Sequence, residues 1–474
     1  MSVINTNVSS LIAQNALSTN NANLSTSLER LSTGLRINTG ADDPSGLIAS
    51  QSLQQEQTGI QTALSNASLA GNIIGTAEGG LNEVSSLLLQ LQGLVGQAAN
   101  TGGLSSDQVS ADQLQVDSVL STINRIANST TFEGRQLLNG TLAYTTSGLS
   151  TTSALQNVQV NSALIPDGSH IAVTAQVLGS AKTAQITTTS AIAVSGNTVT
   201  LQIAGATGTT QLSFASSTST AAIASAINAV TSITGVSAIA SNSGLKFDST
   251  GFGSSQFVSV QVVSGKLKGS LAETRGTGTD ADVTVNGAVA QADGLNVTYR
   301  SSSLDLSFAV NSNANVKGKS VTFDITGGGA NFALGSTVSQ TNDASIGIAS
   351  VSTSSLGNTV DGFLNSLGSG GANDLSNSNG LATAQNILNS AITQVSSLRG
   401  RLGAFQVYTI GSTVSSLGVA YENVSAAESA ITDTDFAAET SNLTRDQILS
   451  QAATTVLSQA NSRPQQVLTL LQNA

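Results

Sequence analysis

The sequence predicts an α+β protein: a long antiparallel helical bundle or coiled coil built from both termini, with a β-rich insert in the middle. Three observations carry this. Residues 1 to about 140 and about 375 to 474 are rich in Leu, Ala, Gln, Asn and Ser, with apolar positions three and four apart, the period of a helix face. From about 145 to 355 the texture turns to Thr, Val, Ser and Gly alternating with period two, the signature of strands and hairpins. An apolar stripe cannot bury itself alone, so the two terminal arms most economically cover one another.

In the N-terminal arm Leu17, Leu24, Leu28, Leu31 and Leu35 follow a 3/4 spacing, with Asn21 in the missing place: a heptad seam with one polar register marker. A second seam runs through Ile60, Leu64, Ala67, Gly71, Ile74, Leu81, Val84, Leu88, Leu91, Val95 and Ala98. Helical from Ser45 to Asn100, this segment has about 56 residues and spans about 84 Å. Gly71, Gly75 and Gly79 lie four apart within it, each costing about 1 kcal/mol relative to Ala. Close approach of a neighbouring helix is the expected compensation.

A third helix is expected to begin at Ser105, which has capping-box spacing to Gln108, to present Val109, Val116, Leu120, Ile123 and Ala127, and to stop near Asn128. In the C-terminal arm Leu381, Ala384, Leu388, Ala391, Val395, Leu398, Leu402 and Phe405 form an uninterrupted series, continued by Ile410, Val414, Leu417, Tyr421 and Val424. Asp433-Thr434-Asp435 breaks the pattern. Leu443, Ile448, Leu449, Ala452, Val456 and Ala460 then make a last amphipathic segment that Pro464 bends or ends.

In the insert, Thr198 to Ala204 and Thr210 to Phe214 read as paired strands around Gly205 to Gly208. Ala222, Ile223, Ala226, Ile227 and Val230 repeat at helical spacing, and a strand starts at Val236, giving a β-β-α-β unit. Asn286-Gly287 after Val283-Thr284-Val285 is a hairpin turn, and Leu304 to Val310 and Ser320 to Ile325 alternate again.

Composition narrows the function. The chain has 474 residues, of which only 9% are charged and 3% aromatic, a poor composition for an ordinary enzyme core. Its 16 Lys and Arg against 27 Asp and Glu give a net charge of −11, which argues against nucleic acid as a partner. With no Cys and a single His, thiolate sites, disulfides and paired-histidine metal sites are excluded. His170 beside Asp167 and Ser169 reads as a turn built on Pro166, Asp167 and Gly168 rather than a catalytic cluster. The sequon Asn296-Val297-Thr298 is a chance occurrence in so Asn- and Ser-rich a chain. No cationic start with an apolar run and no window near 18 apolar residues is visible, so neither a general secretory signal nor a membrane span is expected.

The stretch Leu28 to Gly46 (LERLSTGLRINTGADDPSG) and the tail Asp433 to Leu471 closely resemble the two terminal signatures of bacterial flagellin. Thr131 to Gly140 (TFEGRQLLNG) is similar to the family's turn after the third helix, and Gly328 to Gly335 (GGANFALG) to its return into the core. Residues about 197–240 resemble the flagellin hook IN motif. The resemblance covers roughly the first 140 and last 145 residues. It implies a filament subunit, exported unfolded through the flagellum's own channel, extracellular, with no cofactor, metal or catalytic residue. Its implied partners are copies of itself, an export chaperone, and the cap and hook-junction proteins. The implied division is 1–36 and 433–474 as inner coiled-coil arms, 37–144 and 328–432 as core (the latter a β-hairpin then a long helix), and 145–327 as the outer insert.

On that reading the arms about Ser2 to Arg36 and Leu443 to Ala474 pair in the filament and are largely disordered in the free monomer, since short helices with exposed stripes are marginal in water. The few charges in otherwise neutral helices are candidates for setting subunit register: Arg30, Arg36, Asp42, Asp43, Arg125, Arg399, Arg401, Asp433, Asp435 and Arg445, with Glu29, Glu133 and Arg135 beside them. They join the apolar candidates Leu17, Leu24, Leu28, Leu31, Leu35, Leu449 and Val456. An adjacent Asp42-Asp43 pair without a spaced ligand loop is a weak cation site. The segment that the flagellin-sensing innate immune receptor recognises usually carries Arg where this chain has Gln90 and Glu where it has Gln115, which predicts weak or absent receptor activation. A hook-filament junction protein and a surface adhesin built on the insert are the alternative functions.

Overall fold

The computed structural model describes residues 6–472 except 101, 102, 104, 150–153, 166–168, 189–192, 242–243, 269–273, 340–341 and 378–379, so the turn read at Pro166 to Gly168 lies outside the described residues. The helices are α1 (Val8–Thr33), α2 (Pro44–Ala98), α3 (Ser106–Ser129), α4 (Thr220–Ala229), α5 (Thr231–Thr234), α6 (Leu381–Ala404), α7 (Gly411–Thr432) and α8 (Phe436–Gln472). None of them is long and apolar enough to cross a membrane. Two compact units divide the chain: Met1–Ser68 with Leu334–Ser339 and Gly411–Ala474, and Leu69–Ala333 with Gln340–Ile410.

In the first unit α1 opens at Asn7, whose side-chain oxygen accepts from the Ser10 N–H at 3.1 Å, and ends at Gly34 in the left-handed conformation that glycine adopts freely (φ 75°). Pro44 starts α2, where its missing N–H costs nothing, and Asp43 caps the turn by accepting from Gly46 N–H at 2.9 Å. Glu428 of α7 receives the side-chain amides of Gln54 and Gln57 on α2, at 2.7 and 2.8 Å. Gly59 leaves no room for a side chain against backbone: a Cβ there would stand 2.3 Å from the Ser336 carbonyl. The expected break is real. Leu35 and Asp433 form an antiparallel bridge, Thr434 N–H donates to Gly34 O at 2.9 Å, and Asp435 caps α8 by accepting from Ala437 and Ala438 N–H at 2.9 and 3.2 Å.

Pro464 does not end α8, which runs through it to Gln472. Proline removes one hydrogen bond and crowds one carbonyl, a cost of about 3 kcal/mol that a long paired helix absorbs.

In the second unit the seam of α2 is Ala70, Ile74, Ala77, Leu81, Val84, Leu88, Leu91, Val95 and Ala98, all buried, following Ile60, Ala63 and Ala67 in the first. Leu64 and Gly71, expected on the seam, are only half-buried. In so Ala-rich a helix the true 3/4 row passes through the small residues Ala63 and Ala70, and bulk misleads. The glycine row is corrected too. A Cβ on Gly71, Gly75 or Gly79 meets nothing within 4 Å among the described residues, so no described helix packs closely against these positions.

The capping box of α3 is present, with Ser105 N–H donating to Gln108 Oε1 at 2.9 Å and Gln108 N–H to Ser105 Oγ at 3.3 Å, and Val116, Leu120, Ile123 and Ala127 are buried. Buried Gln113 satisfies its amide by donating to Leu367 O and accepting from Leu375 N–H, at 2.9 and 2.8 Å. On α6 the whole expected series is buried except Phe405, half-buried against Phe332 with ring centroids 6.0 Å apart. There the α-helix gives way to a π-helical turn, Phe405–Ile410, which inserts an extra residue and shifts the phase of the stripe. Ile410 stays buried, but Val414 is exposed and Leu417, Tyr421 and Val424 only half-buried.

The strands, in chain order, are β1 (Thr131–Phe132), β2 (Arg135–Gln136), β3 (Tyr144–Ser147), β4 (Leu155–Ala163), β5 (Ile171–Gly179), β6 (Thr183–Thr187), β7 (Ala193–Gly205), β8 (Thr209–Phe214), β9 (Val236–Ser241), β10 (Gly244–Phe252), β11 (Phe257–Lys268), β12 (Arg275–Thr277), β13 (Asp282–Val285), β14 (Ala288–Asp293), β15 (Asn296–Arg300), β16 (Leu304–Val310), β17 (Ser320–Gly328), β18 (Ala330–Ala333), β19 (Asp343–Ile346), β20 (Gly357–Asn358) and β21 (Gly362–Phe363). An antiparallel sheet in the order β3-β17-β5-β13-β14-β15-β16-β4 curls over Val173, Val283, Val285, Val297, Leu306, Phe308 and Phe323. Its Asn286-Gly287 turn has φ of 50° and 83°, as the expected hairpin requires.

The β-β-α-β unit is also present: β7 pairs with β8 around Gly205 to Gly208, α4 follows, and β9 returns against β10. Sheets β12-β11-β7-β8 and β6-β10-β9 enclose Val199, Leu201, Ile203, Ile223, Ile227 and Phe247. Asp280 clamps the point where the chain re-enters the larger sheet, accepting from Ser254 N–H and Gly294 N–H at 2.8 Å each and from Ser254 Oγ at 2.5 Å.

Candidate assembly surfaces

The pairing of α1 with α8 runs antiparallel and is tied at intervals by polar side chains. Asn7 Nδ2 donates to Ala460 O at 2.8 Å, Ser10 Oγ to Asn461 Oδ1 at 2.7 Å, and Ser450 Oγ to Asn21 Oδ1 at 2.8 Å. Asn21, read as a register marker, thus makes a cross-helix contact. The buried faces are small or polar: Ser10, Ala13 and Ser27 on α1, and Glu439, Asp446, Ala453 and Ala460 on α8.

The bulky apolar residues face out. Val8, Leu11, Ile12 and Leu28 are 59, 56, 66 and 50% exposed, and Phe436, Ile448, Leu449 and Val456 57, 62, 43 and 55%. Of the leucines read as the inner seam, Leu17, Leu24 and Leu31 are half-buried, whereas Leu28 and Leu35 are exposed. The 3/4 row that meets α8 is offset from the row of leucines, because small side chains let the two backbones close up and the leucines are left on the outside.

The charged candidates are mostly engaged within their own chain. Arg36 Nη2 donates to Ile431 O at 2.6 Å, fastening the α1–α2 link to the end of α7. Asp42 accepts from the Thr39 and Asn38 N–H groups and from Thr39 Oγ1, and these hydrogen bonds, Thr39's backbone first, hold its carboxyl below the usual range. Gly46's backbone N–H does the same for Asp43. Arg399 lies 3.9 Å from Glu78 across α6 and α2, with its Nε buried and without a hydrogen-bond partner among the described residues.

Arg401 donates to Asn161, which donates to Asp305 at 2.8 Å, and Arg300 meets Asp305 at 3.4 Å, so this network pins α6 to the larger sheet. Burial lowers the Arg401 guanidinium from its ordinary value. Arg30 has its Nε buried without a hydrogen-bond partner among the described residues. Arg445 donates to Asn442 at 2.9 Å, and Asp433 accepts from Ser429. Arg125, Gln90 and Gln115 are exposed. His170 is exposed, 4.0 Å from Asp324.

Sequence reasoning missed Asp280 and Asn161 as organising residues. Each works through contacts distant in sequence that no periodicity announces.

Comparison with known proteins gives this geometry its context. Residues 4–143 match the model of the bacterial flagellin N-terminal helical region, 385–471 that of the C-terminal helical region, and 200–251 the flagellin hook IN motif. The chain is 30% identical to Flagellin D of Vibrio anguillarum over 99% of both chains, and 28% identical to a flagellin of Clostridium tyrobutyricum over 96% of this chain and 98% of the other. A solved structure of FliC from Burkholderia pseudomallei is 16% identical, covers 71% of this chain and 98% of its own, and has a TM-score of 0.25. The class is a structural, filament-forming protein, not an enzyme. The chain belongs to the bacterial flagellin family, whose members form the extracellular flagellar filament.

Proposed function

We propose that this chain polymerises through the faces its terminal helices leave uncovered. Residues 1–36 and 433–474 form the inner arms, 37–144 and 328–432 the core layer, and 145–327 the outer insert, with the hook IN-like unit at about 197–240. One observation carries the proposal: the α1–α8 pair closes on small and polar residues and turns Leu11, Ile12, Leu28, Ile448, Leu449 and Val456 outward, a surface that identical neighbours would cover. A heterologous contact that does not close on itself gives an open helical polymer.

Leu17, Leu24, Leu31 and Leu35 belong to the same arms. Arg30, Arg125 and Arg445 are the cations placed to set register between copies, while Arg36, Asp42, Asp43, Arg399, Arg401, Asp433 and Asp435 act by holding their own subunit in shape. The finer partners are an export chaperone, the cap and the hook-junction proteins. Exposed, neutral Gln90 and Gln115 offer the innate immune receptor no charged anchor, and receptor activation is weak or absent.

Seeding purified protein with filament fragments tests the proposal: long uniform tubes are expected, and removal of residues 2–36 abolishes growth. A truncated chain that still elongates seeds overturns it. A reporter-cell response equal to that of a well-recognised flagellin overturns the receptor reading.

A further inference from the structure

Strand β9 forms one rim of the sheet β6-β10-β9, with no strand beyond it among the described residues. Its sequence, Val236-Ser237-Ala238-Ile239-Ala240-Ser241, has no charge and no proline, and Ile239 is 57% exposed. Such a rim is a template for another strand, because alternate residues point their N–H and C=O groups away from the sheet.

At Val236 and Ala238 those outward groups are already engaged, by side chains of the preceding helical segment. Asn228, in the last turn of α4, accepts from Ala238 N–H through Oδ1 at 2.7 Å and donates from Nδ2 to Ala238 O at 2.9 Å. One carboxamide thus satisfies both groups of one residue, as a neighbouring strand would. Thr231 Oγ1 donates to Val236 O at 3.0 Å, and Val236 N–H donates to Thr234 Oγ1 at 3.2 Å. By the same alternation Ala240 is the next outward residue, and Ile239 and Ala240 are exposed.

We propose that Asn228, assisted by Thr231 and Thr234, is an edge guard: an internal contact that occupies the rim of β9 and prevents strand addition by the same rim of a second copy. It rests on the polymerisation reading in one respect. In a filament the inserts of many copies are held at high local concentration, where even weak strand pairing becomes appreciable. The residues that guard against it belong to the insert and not to the helices that polymerise. Asn is suited to the task because its carboxamide carries a donor and an acceptor side by side, matching one residue's outward pair, whereas Asp, Leu or Ala lack one or both.

The test uses the full chain with Asn228→Ala, and Asn228→Ala combined with Ile239→Lys, which restores protection by placing a charge on the bare rim. In soluble chain, amide exchange at Ala238 is expected to accelerate at least about tenfold in Asn228→Ala, and a fluorescent peptide of residues 236–241 to bind Asn228→Ala but not the parent. Seeded filaments of Asn228→Ala are expected to bundle side by side in light scattering and electron micrographs, while parent and double-variant filaments stay separate.

Asn228→Ala filaments as dispersed as the parent's, together with no peptide binding, overturn the guard, as does equal bundling by the double variant. Should Asn228→Ala unfold the insert, Asn228→Ser, too short to reach both Ala238 groups, carries the same comparison. Failure of every form, the parent included, to grow on seeds counts against the polymerisation reading alone. The exchange and peptide measurements still decide the guard.

Discussion

Replacing Leu28, Leu449 and Val456 together by Ser removes three of the outward apolar residues of α1 and α8 and should raise the minimum protein concentration for seeded growth. The side chains are 50, 43 and 55% exposed in the single chain. Fully burying such a side chain contributes about 1.5–3 kcal/mol, so the half still exposed offers about 1 kcal/mol each when a neighbour covers it. Three give about 3 kcal/mol, or roughly a hundredfold in the threshold at 1.4 kcal/mol per decade.

The single chain should be nearly unaffected, because exposed substitutions away from special features usually stay within about 0.5 kcal/mol. Sedimentation of seeded reactions across a dilution series reads the threshold, and thermal melting followed by circular dichroism reads the monomer. A threshold shift below about threefold, with melting unchanged, refutes the idea that these faces are completed by other copies.

Other consequences are testable in the same preparations. Ile74 is fully buried in the α2 seam, and Ile74→Ala should cost about 2–5 kcal/mol, seen as a lower denaturation midpoint at constant slope. Gly75→Ala meets only open space and should stabilise the free chain by up to about 1 kcal/mol. A loss of filament growth in that same variant would mean that a neighbouring copy packs on the glycine face.

Asp280's carboxyl is held below the usual range, first by the Ser254 hydroxyl and then by the Gly294 and Ser254 N–H groups. Its contribution is therefore present above the ordinary carboxylate pKa of about 3.9 and is lost as pH falls through the lower folded value. Asp280→Asn should make insert unfolding less acid-dependent in that window, and an unchanged acid profile would contradict it. Limited proteolysis of dilute monomer should cut within α1 and α8 before the insert, and arms as resistant as the sheets would remove the reason for assembly.

Much of this architecture was legible because its determinants are local. The Ser105 capping box, the Asn286-Gly287 turn, the β-β-α-β unit and the long α6 stripe each rest on residues within one or two turns of one another, where periodicity and turn chemistry speak directly. What periodicity did not resolve was which of two adjacent rows faces inward when the helix is rich in alanine and serine. Ala63 outranked Leu64, and Ser10, Ala13 and Ser27 outranked Leu28, because backbone approach and cross-helix hydrogen bonds compete with bulk.

The π-helical turn at Phe405–Ile410 was equally silent, since an extra residue in the ladder leaves no compositional mark. Arg401 illustrates the remaining gap. A sparse charge stands out in such a sequence, yet whether it meets another copy or its own Asn161 depends on tertiary placement.

The small-residue closure of α1 on α8 also bears on how such a chain is handled before it reaches its place. A fastening made of small and polar side chains with scattered amide and hydroxyl ties has few large apolar anchors, so parting the two helices proceeds by modest increments. Reversible separation of the two ends is thus built into the same choice of residues that leaves their leucines waiting for company.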